Sequence, residues 1–291
     1  MILMDTGTKC VYVQSIGSIV GYETEWNAKG DGEETAALSF VDVWSDGGFV
    51  PVYAIARRRY KDGTMTRVRT GAGVVDCGHG QSLLSRRGQA LRVDWVRVDD
   101  ELFHEHGDPL DTDANLYVPT PCATVLMVEA ANAVGRVAPV PVHILNASGK
   151  TAAVYLQGML CAGAAPNAET DKLAAATFWL LCKKAGLHPY VDAGSRVRAS
   201  AEPNREREQV VCKEQVPVSK EEYVYELHTA THRYGVGLSW RSRCTCGHLV
   251  APGWQSLAEV GGENAKIMQW CTLFSFAALA CYALLAATRL Q

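Results

Sequence analysis

The chain has 291 residues, 48% of them apolar and 20% charged, enough to close one large core or two modest ones and too apolar for a disordered tail. Its 28 Lys and Arg against 31 Asp and Glu leave a formal charge of -3, which argues against a nucleic-acid backbone or an anionic lipid surface as the main partner. The ten cysteines are too dilute and too irregularly spaced for a disulfide-stapled miniature, and they do not fix the redox compartment.

The opening MILMDTGTKC has neither a basic leader nor an apolar core of signal-peptide length, so synthesis and residence on the same side of a membrane is the expectation. Cys10 to Val20 and Ala37 to Trp44 are dense in β-branched and aromatic residues and read as strands. Ser45-Asp46-Gly47-Gly48 supplies the turn residues of a hairpin, and Phe49 to Ala56 returns as its partner, with Pro51 suited to an edge. Asp62-Gly63 turns the chain again between Ala54 to Tyr60 and Thr64 to Thr70. Leu91 to Val98 alternates apolar and charged residues as a strand with one wet face does. Residues 1–118 therefore read as a β-rich unit.

A second unit, 119–198, follows Pro119 and Pro121. Ala123 to Ala130, Val140 to Leu145 and Thr151 to Gln157 read as apolar strands, with Asn146-Ala147-Ser148-Gly149 as a turn. Asn146-Ala147-Ser148 is also a glycan acceptor, but only if the domain faces a lumen. The next segment is a helix. Asn167 is its N-cap, Glu169 and Asp171 suit the positive end of its dipole, Lys183 and Lys184 suit the negative end, and Gly186 and Pro189 stop it. Leu173 to Cys182 is apolar on nearly all faces, so this helix is expected to be buried. The strand Gly149-Lys150-Thr151-Ala152-Ala153-Val154-Tyr155-Leu156 and the turn Ala185-Gly186-Leu187-His188-Pro189 resemble the last part of glutamine-amidotransferase-like domains. That resemblance implies an α/β layer. It does not extend to the family's nucleophile, because Cys77-Gly78-His79-Gly80 is out of register with that motif and lies in the preceding unit.

Residues 199–262 form a charged loop and a short β segment. Leading into it, from Gly194 to Gln209, Arg196, Arg198, Arg205 and Arg207 interleave with Glu202, Glu206 and Glu208 as a solvated loop does, and Tyr223 to His228 and Gly235 to Trp240 read as strands. From Ile267 to Ala287 the sequence IMQWCTLFSFAALACYALLAA carries no charge and is flanked by Lys266 and Arg289. At about 1.5 Å per residue it is long enough to cross a hydrocarbon layer of about 30 Å once. Ala277 with Cys281, and Ala283 with Ala287, pair small residues four apart on one helix face, where a partner helix can approach closely.

Three constellations suggest chemistry. Cys244, Cys246 and His248 offer two thiolates and an imidazole that could join Cys212, or Cys77 and His79, around Zn²⁺. Reduced, partly buried thiols or a disulfide are the other readings of these cysteines. His104 and His106 share a strand face beside Asp108, Asp111 and Asp113, but Leu116 and Cys122 occupy the calcium-loop positions that need Gly and Glu, so a polar turn is expected there. Cys77 beside His79 has the makings of a nucleophile and base but names no orienting third group. No Walker loop, dinucleotide fingerprint or zincin motif occurs.

The expected fold class is thus α+β: a β-rich N-terminal unit, a small strand-strand-helix α/β unit, a short β segment and a transmembrane helix at 267–287. The expected role is that of a non-catalytic accessory or scaffold subunit of a membrane complex, without cofactor. Its partners would be other subunits and the bilayer, not nucleic acid, and a mitochondrial membrane is favoured over the endoplasmic reticulum. The alternative is a membrane-anchored Cys/His zinc module or enzyme.

Overall fold

In the computed structural model the described residues are 2–20, 25–28, 32–45, 48–59, 63–79, 81–103, 123–202, 209–218 and 223–230. The architecture is mixed α+β, with a β-rich N-terminal part and few helices.

Strand β1 (Ile2–Asp5) is buried on both faces, as its unbroken apolar sequence requires. Ile2 and Met4 enter the core beneath the helices, while Leu3 enters a second core on the opposite side of the sheet. It pairs antiparallel with β2 (Val11–Val13) and β5 (Val41–Ser45). The strand expected over Cys10 to Val20 ends after three residues. Ile16–Ser18 forms a single 3-10 turn instead, held by Ser18 Oγ donating to the Ser15 carbonyl at 2.9 Å. Gly17 lets the turn approach the Tyr225 ring, which a Cβ at 2.8 Å would displace.

Strand β3 (Asn27–Ala28) pairs with β4 (Glu33–Ala37), and β4 and β5 both pair with the long β6 (Gly48–Arg59). Their registers on β6 differ by two residues, and the extra length is absorbed at Leu38–Phe40, where Phe40 adopts φ 65°. The strand read over Ala37 to Trp44 is therefore broken by a bulge. The β5–β6 hairpin forms as expected, with Ser45 opposite Gly48.

Gly63, at φ 72°, turns the chain as its sequence suggests, but β6 and β7 (Thr64–Thr70) do not pair. Strand β7 sits instead between β8 (Gly73–Cys77) and β13 (Val210–Pro217), in a separate three-stranded sheet. Strand β14 (Tyr223–Thr229), close to its expected span, returns to pair along β6. Strands β9 (Ser82–Leu84) and β10 (Ala90–Arg92) form a hairpin. The alternation of Leu91 to Val98 does not extend that strand past Arg92: Val93–Trp95 is a 3-10 turn that buries Val93 and Val96 and leaves Trp95 66% exposed beside Arg92.

The three strands expected ahead of the helix in unit 119–198 are helical instead. Ala123 to Ala130 lies in α1 (Ala123–Gly135), Val140 to Leu145 ends in α2 (Val142–Leu145), and Thr151 to Gln157 lies inside α3 (Gly149–Cys161). Among the described residues the α/β layer implied by the amidotransferase resemblance is not found, since its key strand is α3. Periodicity accounts for the difference: Leu126, Ala130 and Ala133 are the buried residues of α1, and Thr151, Ala152, Tyr155, Leu156 and Met159 are among those of α3. Both sets recur at three to four residues, which serves a helix and not a strand. Ser148 caps α3 by accepting from the Thr151 N–H at 3.2 Å. The fourth helix, α4 (Lys172–Lys184), runs as expected apart from its start, where Asp171 is the N-cap residue and Asn167 instead holds the preceding turn by accepting from the Glu169 and Thr170 N–H groups. Gly186, at φ 77°, ends it. The hairpin of β11 (His188–Val191) and β12 (Val197–Ser200) follows.

Asn146 joins the helices to the large sheet. Its Oδ1 accepts from the Val11 N–H at 2.8 Å and its Nδ2 donates to the Val11 carbonyl at 2.7 Å, a ladder rung made by a side chain. The amide is buried and fully engaged, so this Asn is not open to glycosylation in the folded chain. No helix among the described residues is long and apolar enough to cross a membrane. The stretch 267–287 and the strand read at Gly235 to Trp240 lie outside them.

Candidate functional site

The alternation of β7 sends Thr66, Val68 and Thr70 to one face and Arg67 and Arg69 to the other. Val68 and Cys77 close a core with Leu83, Val93, Val96, Leu102 and Val210. The opposite face carries a connected cluster of charged side chains. Arg67 is bidentate on Asp76 across the β7–β8 rung, Nε to Oδ1 at 2.7 Å and Nη2 to Oδ2 at 3.0 Å. Its Nη1 donates to Glu169 Oε2 at 2.8 Å. Lys172 Nζ reaches Asp76 Oδ2 at 2.6 Å. Ser195 Oγ donates to Glu169 Oε1 and accepts from Arg69 Nη1, the latter at 2.9 Å.

Burial works to raise the Asp76 carboxyl, and the hydrogen bonds from Arg67 and Lys172 outweigh it, holding the group below the usual carboxylate range. The Arg67 guanidinium, bonded to Asp76, is held above its ordinary value.

Ser195 sits at φ 59°, a conformation side chains seldom adopt, and is buried. It closes the β11–β12 turn, which Asp192 organises: Oδ1 accepts from the Gly194 and Arg196 N–H groups at 2.9 Å each, and Oδ2 from Arg198 Nε at 3.0 Å. A hydroxyl on a carboxylate that is itself oriented by an arginine has the outline of a nucleophile, a base and an orienting group. Here the N–H groups beside the hydroxyl are spent on Asp192, and the hydroxyl itself is spent on Glu169 and Arg69. The arrangement acts as a clamp between the β7–β8 hairpin, the segment leading into α4 and the β11–β12 turn.

Of the candidate ligands and nucleophiles, Cys77, His79 and Cys212 are described; Cys212 is half-buried in β13, and the structure separates the other two, Cys77 being 2% exposed inside the core and the His79 side chain 68% exposed. His79 Nδ1 lies 3.0 Å from Asp94 Oδ1, a partner that sequence spacing did not reveal. Cys10, Cys77, Cys161, Cys182 and Cys212 form no disulfide, and burial pushes the Cys182 thiol up to about 12, which makes it unreactive. Among the described residues no group of three or more His, Cys, Asp and Glu is placed to hold a metal. Cys244, Cys246 and His248, the cluster from His104 to Asp113, and Ala277, Cys281, Ala283 and Ala287 lie outside the described residues.

Sequence reading missed the Arg67–Asp76–Glu169–Ser195 cluster because it ended at Thr70 without pairing that strand forward. The signal was Thr70-Gly71-Ala72-Gly73, a turn flanked by alternating residues that sets Arg67 opposite Asp76.

No family matches the chain, and no curated protein matches it. Among solved structures, the transcription factor IIB Mvu mini-intein shares 13% identity at a TM-score of 0.42, over 83% of this chain and 95% of that one. The transcription factor IIB Mja mini-intein shares 13% identity at a TM-score of 0.34, over 83% and 90%. At these values the likeness transfers neither fold nor activity.

Proposed function

We propose that the chain is an accessory or scaffold subunit of a membrane complex, held at the bilayer by residues 267–287 and working through contacts rather than turnover. The observation that carries this reading is the sequence of that stretch, which has no charged residue in a chain that is 20% charged overall. The exposed side of α1 supports it. Val125 and Val128 are both more than half exposed on a helix whose one charged residue is Glu129. Partner subunits can dock on such a face. A mitochondrial membrane is the proposed location, on the moderate hydrophobicity of an Ala-rich span with basic flanks.

Alkaline extraction of membranes from cells expressing the full chain tests the anchor. The full chain is expected in the pellet and released by detergent, while Phe276→Arg, which places a charge at the middle of the stretch, is expected to move it to the supernatant. A full chain that stays in the supernatant without detergent, monodisperse, overturns the proposal. Recovery solely with endoplasmic reticulum overturns the location alone.

A further inference from the structure

The three-stranded sheet β13–β7–β8 has a core of its own, built from Val68, Cys77, Leu83, Val93, Val96, Leu102 and Val210. The helices close a different core, with Ile2, Met4 and Val11 of the large sheet. Where these two bodies meet, Val74 is the member of the helical core that the three-stranded sheet supplies, with Ala72 of the β7–β8 turn packed against it. The other side-chain contacts described are polar: ion pairs of Arg67 with Glu169 and of Lys172 with Asp76, and hydrogen bonds from Arg69 to Ser195 and to the Ala193 carbonyl. One backbone bond also crosses, from the Val191 N–H to the Gly71 carbonyl at 2.9 Å. A contact of this composition resembles a separable interface more than a shared core. At its centre is Ser195, set at φ 59° in the turn that Asp192 organises, with its hydroxyl between Glu169 on its own body and Arg69 across the joint.

We propose that this cluster is a latch: the β13–β7–β8 sheet parts locally from the helices and the β11–β12 hairpin, each body keeping its own core, and the Arg67–Glu169, Lys172–Asp76 and Arg69–Ser195 bonds hold the two closed. Two features oppose each other across the joint. The charge-assisted hydrogen bonds favour the closed state, and the hydration that their charged groups regain on parting favours the open one. Such a balance yields an opening that costs less than global unfolding.

The test is amide hydrogen exchange on the full chain in detergent, wild type against Glu169→Gln and Ser195→Gly. Ser195→Gly removes the hydroxymethyl group that Arg69 bonds across the joint, and because glycine accepts φ 59° without strain it is the variant expected to fold in every case. The Val191 amide, which crosses the joint, is expected to exchange at least about tenfold faster in both variants, the factor implied by losing a hydrogen bond to a charged group. The amides of α3 and of the β7–β13 ladder are expected to keep their rates. Equal acceleration throughout the chain would mean that the cluster contributes only to global stability, and unchanged exchange at Val191 would mean that the joint does not open. Either result overturns the latch, and Ser195→Gly alone decides it if Glu169→Gln fails to fold.

Discussion

Asp76, half-buried, and Tyr155, buried, are two polar side chains that the fold treats in opposite ways. Asp76 has every oxygen engaged, and its hydrogen bonds from Arg67 and Lys172 more than offset the burial that would raise it. Its folded pKa lies below its unfolded one. The stability it adds is therefore complete above the ordinary carboxylate range and is lost as pH falls through the folded value. Asp76→Asn is expected to lower Tm at neutral pH and to flatten the fall of Tm below about pH 4; an acid limb as steep as that of the wild type would show that other carboxylates set it. Tyr155 is fully buried, and its hydroxyl has no hydrogen-bond partner among the described residues. Burial first, and the charge of Glu129 second, push that hydroxyl up to about 12. Tyr155→Phe keeps the ring and removes the unmet group, so its urea midpoint is expected to correspond to anything from no change to about 1 kcal/mol of added stability. A loss above about 1 kcal/mol would mean that the hydroxyl has a partner in the folded chain. Neither residue was legible as special in the sequence. Asp76 depends on a register set six residues away by a turn, and Tyr155 stood in a segment read with the wrong period.

That misreading shows where local sequence runs out. The segments Ala123 to Ala130 and Thr151 to Gln157 are short, apolar and rich in Val, Thr and Ala, and over seven or eight residues such runs satisfy a strand as well as a helix. What decides between them is the neighbour. Gly158 of α3 lies so close to α1 that a Cβ would stand 2.8 Å from Met127 Cα and 2.9 Å from Ala130 Cβ. The α1–α3 contact is thus built on a missing side chain, which is information about two segments together. By contrast α4 was readable, because its lysines and its stop at Gly186 are local signals. Two glycines of the same helix test the packing. Gly158→Ala is expected to destabilise the fold by roughly 1–3 kcal/mol through overpacking. Gly149→Ala, whose Cβ would meet the Lys184 carbonyl at an ordinary 3.6 Å, is expected to be neutral or better. Thermal melts of the two variants suffice, and equal losses would show that helix propensity rather than the close approach governs both.

At the scale of the molecule the large sheet separates two apolar bodies, one closed by the helices and one centred on Leu3, Val43, Val52 and Ile55, while the three-stranded sheet closes a third. The β-rich start was legible because strands and glycine turns are local; the distribution of β6 and β7 into different sheets was not, because it depends on β13 and β14, more than a hundred residues later. The proposed anchor adds a different kind of contact. In lipid, apolar side chains gain nothing from one another over the acyl chains, so a span that recognises a partner does so by close backbone approach at small residues. On the proposed reading, Ala277 with Cys281 and Ala283 with Ala287 offer that approach. Ala277→Ile with Cys281→Ile leaves the stretch as apolar as before, so membrane retention is expected to be unchanged while the assembly shifts to smaller size on a native gel in mild detergent. Retention with an unaltered assembly would show that these small residues only fill an anchor, and that the complex is held by the face of α1 and its neighbours instead.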